Sequence, residues 1–287
     1  MINQDRQTKD YHTEVQFDLT THTSPAKQLN LIGENKRVLE FGCATGYFSR
    51  MLVEKGCNVT GVEINADAAQ KAQEFCSQVI VADLDFTPLG EILSDQTFDV
   101  VVFGDVLEHL RDPWGILESV RNRLNPGGFV VASIPNVAHG AVRLSLLQGN
   151  FNYQKYGILD DTHIRFFTKS SVIEMFEKSG YFLDVLDRTK LPILDNDYVL
   201  PPFDKELVSP EILKQIEADE DADTLQFVVR AYPESDRDRY DSLLNRVAEL
   251  TAKNKELSRL LDEVTAENQA IVSSKWWKLR RKIFLSK

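Results

Sequence analysis

The sequence has few sulfur-containing residues and no long apolar run. Its three cysteines, Cys43, Cys57 and Cys76, form no Cys-x-x-Cys pair. An odd number of separated thiols favours reduced, buried side chains in the cytoplasm over a disulfide framework. No segment approaches the ~20 apolar residues that a membrane-spanning helix requires, and the polar N-terminus lacks the core of a signal peptide. We therefore expect a cytoplasmic protein.

Basic residues are also scarce. The 287-residue chain has 33 lysines and arginines against 44 aspartates and glutamates, a formal net charge of −11. A general nucleic-acid binder needs a surplus of basic side chains to neutralise phosphates, so we expect no nucleic-acid partner. With 43% hydrophobic residues, the chain is long enough for one sizeable α/β domain and an appendage.

Short apolar runs alternate with segments of helical period from residue 37 onwards. This alternation is typical of βαβ units around a parallel sheet that is buried on both faces. We predict an α/β domain over residues 37–232, after a helical or capping segment over residues 1–36. Residues 191–223 form a predicted insertion between the last two strands, with a function or a covering role. The predicted strands are Arg37–Phe41, Asn58–Glu63, Val79–Ala82, Phe98–Gly104, Gly128–Ile134, Tyr181–Asp187 and Leu225–Ala231.

Beyond Pro233 the sequence follows a heptad pattern over residues 236–272. The pattern predicts a coiled coil, and asparagines at a positions favour a parallel homodimer in which they pair across the axis. The alternative is a single amphipathic helix that folds back on the globular domain. The a positions hold Tyr240, Val247, Asn254, Leu261 and Asn268, and the d positions hold Leu243, Leu250, Leu257, Val264 and Ile271.

The last residues, 273–287, interleave basic residues with aromatic and aliphatic ones, as in Lys275-Trp-Trp-Lys278. Such a tail is typical of a peptide that docks on a membrane surface or on a partner protein. Docking of that kind would place a cytoplasmic protein at the inner face of the membrane. A frayed end of the coiled coil with solvated charges is the alternative.

Acidic residues lie at the ends of three consecutive predicted strands, and a glycine turn follows the first of these strands. Gly42 and Gly46 flank the turn, where a side chain would block the approach of the backbone to a ligand. Glu63 is placed to accept hydrogen bonds from both ribose hydroxyls of a nucleoside, and Asp83 from an exocyclic amino group. A dinucleotide site is the alternative to a methyl-donor site, but Ala44 stands where the dinucleotide motif has its middle glycine.

These residues belong to an ordered set of motifs that resembles the class I S-adenosylmethionine-dependent methyltransferases over roughly residues 10–232. The motifs are Val38–Phe48, Val62–Ile64, Ala82–Leu84, Phe98–His109 and Leu124–Gly128. The resemblance implies a Rossmann-like sheet of seven strands, with the last strand antiparallel, and S-adenosylmethionine as the cofactor. It also implies that the cofactor is bound by Glu40, Gly42, Cys43, Ala44, Gly46, Glu63, Ile64, Asp83, Leu84, Gly104, Asp105, Val106 and His109.

Histidines after the fourth and fifth predicted strands are candidates for proton transfer. Methyl transfer to a hydroxyl requires alignment of the acceptor and removal of its proton, and it requires no metal. His163 is the preferred base, because Asp161 is placed to orient its ring and Arg165 to hold an anionic or polyhydroxylated substrate. His139 is the second candidate. Alternatively, His163 and Arg165 tie a loop to the sheet.

The segment Asp160–Thr168 resembles bacterial methyltransferases that accompany surface-polysaccharide glycosyltransferases. This resemblance implies O-methylation of a sugar hydroxyl on a glycan or a lipid-linked glycan, with glycan-assembly proteins as further partners. Two alternatives stay open. One is a small-molecule methyltransferase with a quinone or polyketide acceptor, and the other is a cofactor-binding dimeric scaffold for glycan assembly.

Overall fold

The computed structural model describes residues 23–234 and 236–273. The predicted N-terminal segment, residues 1–36, is therefore described from Thr23 onwards. The basic aromatic tail beyond Ser273 lies outside the described residues. By its internal contacts the chain divides into two units, residues 1–238 and 239–287.

A seven-stranded sheet with the order β3-β2-β1-β4-β5-β7-β6 forms the centre of the first unit. Strands β1 to β5 run parallel to one another, whereas β7 runs antiparallel to both β5 and β6. The Rossmann-like sheet with an antiparallel last strand is thus confirmed. The strands are β1 (Arg37–Phe41), β2 (Asn58–Glu63), β3 (Gln78–Val81), β4 (Phe98–Gly104), β5 (Leu124–Pro135), β6 (Tyr181–Lys190) and β7 (Thr224–Pro233).

Helices connect the strands and cover the sheet. Short 3-10 turns occur at Leu107–His109 and Lys205–Leu207. The helices of the described residues are α1 (Ser24–Ile32), α2 (Tyr47–Glu54), α3 (Ala66–Ala72), α4 (Leu89–Leu93), α5 (Pro113–Arg121), α6 (Gly140–Leu147), α7 (Lys169–Lys178), α8 (Pro210–Glu217) and α9 (Asp236–Ser273).

Two hydrophobic clusters cover the sheet, and neighbouring residues of a strand enter different clusters. In β4, Val101 and Phe103 pack into one cluster, and Val100 and Val102 pack into the other. Side chains alternate between the two faces of a strand, so a strand that is apolar throughout must be covered on both sides. This explains why the central strands read as continuous apolar runs.

Several boundaries differ from the sequence prediction. β5 begins at Leu124, before the predicted Gly128, because the turn Asn125-Pro-Gly-Gly128 is taken up as a bulge against β4. β6 and β7 are longer than predicted because they pair with each other as far as Lys190 and Thr224. Helix α6 was not predicted, since its start depends on a cap formed by the side chain of His139.

Helix α9 covers the predicted coiled-coil segment. Among its heptad residues with described side chains, Val247, Leu250, Leu257, Leu261 and Val264 are 48% to 67% exposed in the single chain. A helix with an exposed apolar stripe is consistent with pairing, but the coiled coil and the homodimer remain predictions. Within the described residues, no helix has the length and apolar character to cross a membrane.

Candidate active site

A cavity of about 780 Å³ opens at the carboxyl ends of the central strands. It lies where β1 is flanked by β2 and β4, the point at which the strand order reverses and where open α/β sheets bind ligands. Eleven of the sequence-predicted site residues line this cavity. They are Gly42, Ala44, Glu63, Ile64, Asp83, Leu84, Gly104, Asp105, Val106, His109 and His163.

The turn after β1 brings the backbone into the cavity. Gly42 has a φ of 68°, and a Cβ atom added there would lie 2.7 Å from Cγ2 of Val106. Ala44 also has a positive φ, 47°, although it carries a side chain. Its backbone N–H donates to Oε2 of Glu63 at 2.9 Å. This hydrogen bond offsets the cost of the left-handed conformation, about 1–2 kcal/mol for a residue with a Cβ atom.

Glu63 at the end of β2 is held by the backbone on both sides. Its Oε1 accepts from the N–H of Asn65 and its Oε2 from that of Ala44, each at 2.9 Å. A carboxylate oxygen has a second lone pair, so the fixed group still presents acceptors to the cavity. Asp83, whose Oδ1 accepts from the N–H of Asp85 at 2.9 Å, lines the same wall with Leu84.

Three of the predicted cofactor residues lie behind the turn and do not line the cavity. The carboxyl group of Glu40 is buried, accepts from Oγ of Ser49 at 2.5 Å, and has its pKa raised to about 8 by burial. Cys43 is also buried, with its Sγ close to Gly61. Gly46 starts α2 with a φ of 85°. These three residues therefore stabilise the turn after β1 and do not line the cavity.

Asp105 follows β4 and faces the cavity. Its Oδ1 accepts from Oγ of Ser133 and from Nε2 of Gln226, both at 2.8 Å. Burial raises the pKa of this carboxyl group, and the two hydrogen bonds partly counteract the effect. Tyr47, which the sequence analysis did not select, lines the cavity beside it, and burial also raises the pKa of the Tyr47 hydroxyl.

Glu108, His109 and His163 come close together in one part of the cavity, which we call the acceptor end, whereas the donor end is the part lined by Glu63 and Asp83. One ligand atom from each of the three side chains lies within 4.8 Å of the others. Nε2 of His163 is 3.9 Å from Oε1 of Glu108, and the two imidazole rings meet edge to face with centroids 4.7 Å apart. We call these three residues the acceptor cluster.

Backbone hydrogen bonds hold the two halves of the acceptor cluster together. The N–H groups of Ile164 and Arg165 both donate to the carbonyl oxygen of Glu108 at 3.0 Å. Nδ1 of His109 lies 3.2 Å from the carbonyl oxygen of Thr162. The segment after β5 is thereby fastened to the 3-10 turn after β4, which places His163 over Glu108.

Glu108 has an unusual environment for a carboxylate. The residue is 1% exposed, and neither carboxylate oxygen has a hydrogen-bond partner among the described residues. Burial raises the pKa of Glu108 well above its ordinary value, and the nearby carboxylates of Asp105 and Asp160 raise it further. A group with these properties at the wall of a cavity is a candidate functional residue.

Three residues that the sequence analysis assigned to catalysis lie outside the cavity, and the prediction for them is corrected here. Asp161 is exposed and does not line the cavity. Arg165 donates to the carbonyl oxygen of Arg111 at 2.5 Å and lies over the ring of Trp114. His139 is fully buried and caps α6, with Nδ1 accepting from Ala141 at 3.2 Å and Nε2 donating to Leu191 at 2.9 Å. Both of its ring nitrogens are therefore used in the fold.

The sequence analysis also missed residues at the acceptor end. Glu108 lay inside a motif that had been assigned to the cofactor, and its position directly before His109 was the available signal. Asp160, Tyr156 and Val199 line the cavity as well. Val199 belongs to the predicted insertion. Its backbone packs directly against Gly157, where an added Cβ atom would clash with the Val199 carbonyl oxygen.

The donor end of the cavity fits S-adenosylmethionine. The Gly42 turn admits a ligand close to the backbone, Glu63 presents acceptors for ribose hydroxyls, and Asp83 with Leu84 forms a wall suited to an adenine ring. The volume falls within the range of about 300–1,000 Å³ that is usual for small-molecule and cofactor sites.

Comparison with known proteins agrees with this fit. A family model described as a methyltransferase domain matches residues 13–184. The chain is similar to a ubiquinone biosynthesis O-methyltransferase from Glaesserella parasuis, with 29% identity over 42% of this chain and 58% of that protein. A protein of the same name from Idiomarina loihiensis is 34% identical over 35% of this chain and 43% of the relative. The chain thus spans about half the length of these curated relatives.

A solved S-adenosylmethionine-dependent methyltransferase from Thermotoga maritima shares the fold. It has a TM-score of 0.50 and 17% identity, over 74% of this chain and 88% of that one. The family model alone covers more than half of the 287 residues. The chain belongs to the class I S-adenosylmethionine-dependent methyltransferases.

Proposed function

We propose that this methyltransferase transfers the methyl group to a hydroxyl of a small aromatic acceptor of the quinone type. The observation that carries the proposal is the acceptor cluster, in which an imidazole and a buried carboxylate share one cavity with the donor motifs. A hydroxyl must lose its proton as it attacks the methyl group, and the cluster supplies the groups for that step.

The acceptor end combines the polar acceptor cluster with apolar residues. Tyr156, Ile158, Val199 and Leu225 contribute to it, together with the backbone of Gly157. A flat ring can bury apolar surface against these residues while its hydroxyl reaches the acceptor cluster, whereas the hydroxyls of a sugar find no hydrogen-bond partners on this apolar part of the wall. The relatives named above are ubiquinone biosynthesis O-methyltransferases, which also supports the small-molecule alternative over the sugar acceptor that the sequence analysis preferred.

His163 is the proton acceptor in this proposal. Nδ1 lies 3.1 Å from the carbonyl oxygen of Ile158, so its hydrogen is assigned to that bond and Nε2 carries the lone pair. Bound S-adenosylmethionine supplies an electrophilic methyl group. As the acceptor oxygen forms its bond to the methyl carbon, the carbon–sulfur bond breaks and its electron pair leaves with the sulfur, while Nε2 takes the hydroxyl proton. The side chain of Glu108, with Oε1 3.9 Å from Nε2, faces the ring that receives the proton.

We further propose that α9 pairs with a second copy of the chain. Its heptad pattern, its a-position asparagines and its exposed stripe support a parallel coiled coil. A dimer built through this helix suits either an enzyme or the scaffold alternative, so the assay below must separate binding from transfer.

The test is an acceptor screen with S-adenosylmethionine labelled in its methyl group. Purified full-length protein is incubated with a panel of dihydroxyphenols and hydroxylated quinols, and in parallel with glycan and lipid-linked glycan fractions. We expect label in the small-molecule panel, located on oxygen by mass spectrometry. Label only in the glycan fractions would contradict the proposed acceptor, and tight donor binding without transfer to any fraction would favour the scaffold.

A further inference from the structure

The acceptor cluster has the composition and spacing of a metal site. It offers one carboxylate oxygen and two imidazole nitrogens, all within 4.8 Å of one another, and all three residues line the cavity. We propose that Glu108, His109 and His163 bind a divalent transition-metal ion. The site itself follows from this geometry, while its role in methyl transfer rests on the proposed function.

The carboxylate is the first observation in favour of an ion. Glu108 is 1% exposed, and both of its oxygens lack a hydrogen bond among the described residues. Burial of a carboxylate without hydrogen bonds is strongly unfavourable, and proteins compensate for it with a cation or by protonation. Asp105 and Asp160 are further acidic side chains near Glu108, and both line the same cavity.

The imidazoles are the second, independent observation. Nδ1 of His163 lies 3.1 Å from the carbonyl oxygen of Ile158, and Nδ1 of His109 lies 3.2 Å from that of Thr162. Oγ1 of Thr162, 3.1 Å from the same Nδ1, donates in turn to Oδ1 of Asp160. Metal-binding histidines are typically held in this way, because a hydrogen bond at one ring nitrogen fixes the tautomer that presents the other to the ion.

The ligand set indicates the class of ion. Two imidazoles and one carboxylate suit zinc, cobalt or manganese, whereas magnesium and calcium prefer oxygen ligands throughout. Bonds of about 2.0–2.2 Å would require the three side chains to approach one another by roughly 1 Å. Three protein ligands leave a coordination position open, which is the usual arrangement of a catalytic rather than a structural site.

An ion at this point would act on the acceptor. Coordination of the acceptor oxygen lowers the pKa of its hydroxyl, so that its proton passes to solvent. The oxygen then forms its bond to the methyl carbon, and the electron pair of the broken carbon–sulfur bond leaves with the sulfur. In this form His163 would be a ligand and not the base of the proposed function, and the reaction would differ from the metal-free transfer expected from the sequence.

The test measures ion binding directly, without donor or acceptor. Full-length protein stripped with a chelator is titrated with Zn²⁺ by calorimetry and with Co²⁺ by visible absorption. We expect one ion per chain at the cluster and Co²⁺ bands typical of low coordination number. Glu108→Gln and His109→Asn should each weaken binding at least 100-fold. Glu118→Gln, a matched change of an exposed acid on α5, should bind as the wild type does.

Each outcome separates the site from the function. Absence of binding by the wild type, or equal binding by folded Glu108→Gln protein, would overturn the metal site and leave His163 as the base. Circular dichroism establishes whether the variants are folded. If Glu108→Gln protein is not folded, ion binding by His109→Asn protein tests the metal site instead. Ion binding without methyl transfer to any acceptor would instead contradict the proposed function while the metal site stands.

Discussion

The donor end and the acceptor end of the cavity are built from different kinds of structure. At the donor end, the turn follows β1 directly, Glu63 is the last residue of β2, and Asp83 lies two positions after β3. At the acceptor end, the 3-10 turn after β4 meets residues 156–163 and the insertion. The first arrangement is fixed by strand pairing. The second depends on a few hydrogen bonds between segments distant in sequence, so the two ends should respond differently to substitution.

Loss of His163 should have the largest effect, and it should be confined to the acceptor end. His163→Ala is expected to lower kcat by about 10²–10⁴-fold, the usual contribution of a general base, while the Kd for S-adenosylmethionine stays within about twofold of the wild type because the donor wall is intact. Asp161→Ala, at the exposed neighbour, should change kcat little. A comparable loss of donor affinity in His163→Ala would show that the two ends are not separate.

Loss of Glu63 should produce the opposite pattern. Glu63→Ala removes a carboxylate that holds the N–H groups of Ala44 and Asn65 and faces the ribose. Loss of two charge-assisted hydrogen bonds to the ribose hydroxyls, at about 1.5 kcal/mol each, corresponds to a rise in the Kd for the donor of roughly 100-fold. Calorimetry measures this, with Glu54→Ala, an exposed acid on α2, as the control. An unchanged donor Kd would refute the assignment of Glu63.

Glu40 should give the donor turn a pH dependence. Burial raises the pKa of Glu40 from 4.5 to about 8, so the folded chain holds a proton that the unfolded chain releases between these values. The stability that this proton provides is complete below pH 4.5 and is lost as the pH rises through about 8. The loss is at most about 1.4 kcal/mol per pH unit. Glu40→Gln should remove this part of the slope.

Urea unfolding at a series of pH values tests the Glu40 prediction. The free energy of unfolding of Glu40→Gln, relative to that of the wild type, should rise with pH, whereas Glu54→Gln should follow the wild type. A difference between Glu40→Gln and the wild type that is constant across this range would mean that Glu40 titrates normally.

The smallest effect on catalysis is expected from the second unit. Leu257→Asp places a charge in the apolar stripe of α9, where Leu257 is 56% exposed in the single chain. Light scattering should then show a monomer in place of the dimer, because a charge buried at a d position disrupts the apolar interface between the two helices. Donor affinity should not change. Ala252→Asp, at an exposed f position away from the a and d residues, should leave the dimer intact, and a monomeric wild type would contradict the coiled coil.

The donor end could be predicted from sequence because its residues lie at the ends of strands that the apolar runs of the sequence identify. Glu63 and Asp83 end apolar runs, and parallel strands bring their carboxyl ends to one edge. Ala44 was the uncertain position, since only the structure shows its positive φ and the hydrogen bond that its N–H donates to Glu63. The place of Glu40, behind the turn rather than in the cavity, depends on the orientation of its side chain, which periodicity does not predict.

The acceptor end could be predicted only in part. His163 was identified from its neighbours, but the acid that faces it is Glu108, 55 positions earlier, and not the adjacent Asp161. Such a pairing depends on hydrogen bonds from Ile164 and Arg165 to Glu108, which have no signature in sequence. His139 was misjudged for a related reason, because its role as a helix cap depends on a helix that was not predicted.

The most direct test of two distinct ends in one cavity is a crystal structure of the full chain with S-adenosylhomocysteine. We predict that the ribose hydroxyls donate to Glu63, that the adenine lies beside Asp83 and Leu84, and that the sulfur faces the acceptor cluster. A ligand bound away from Glu63, or one whose sulfur faces away from Glu108, His109 and His163, would contradict the account.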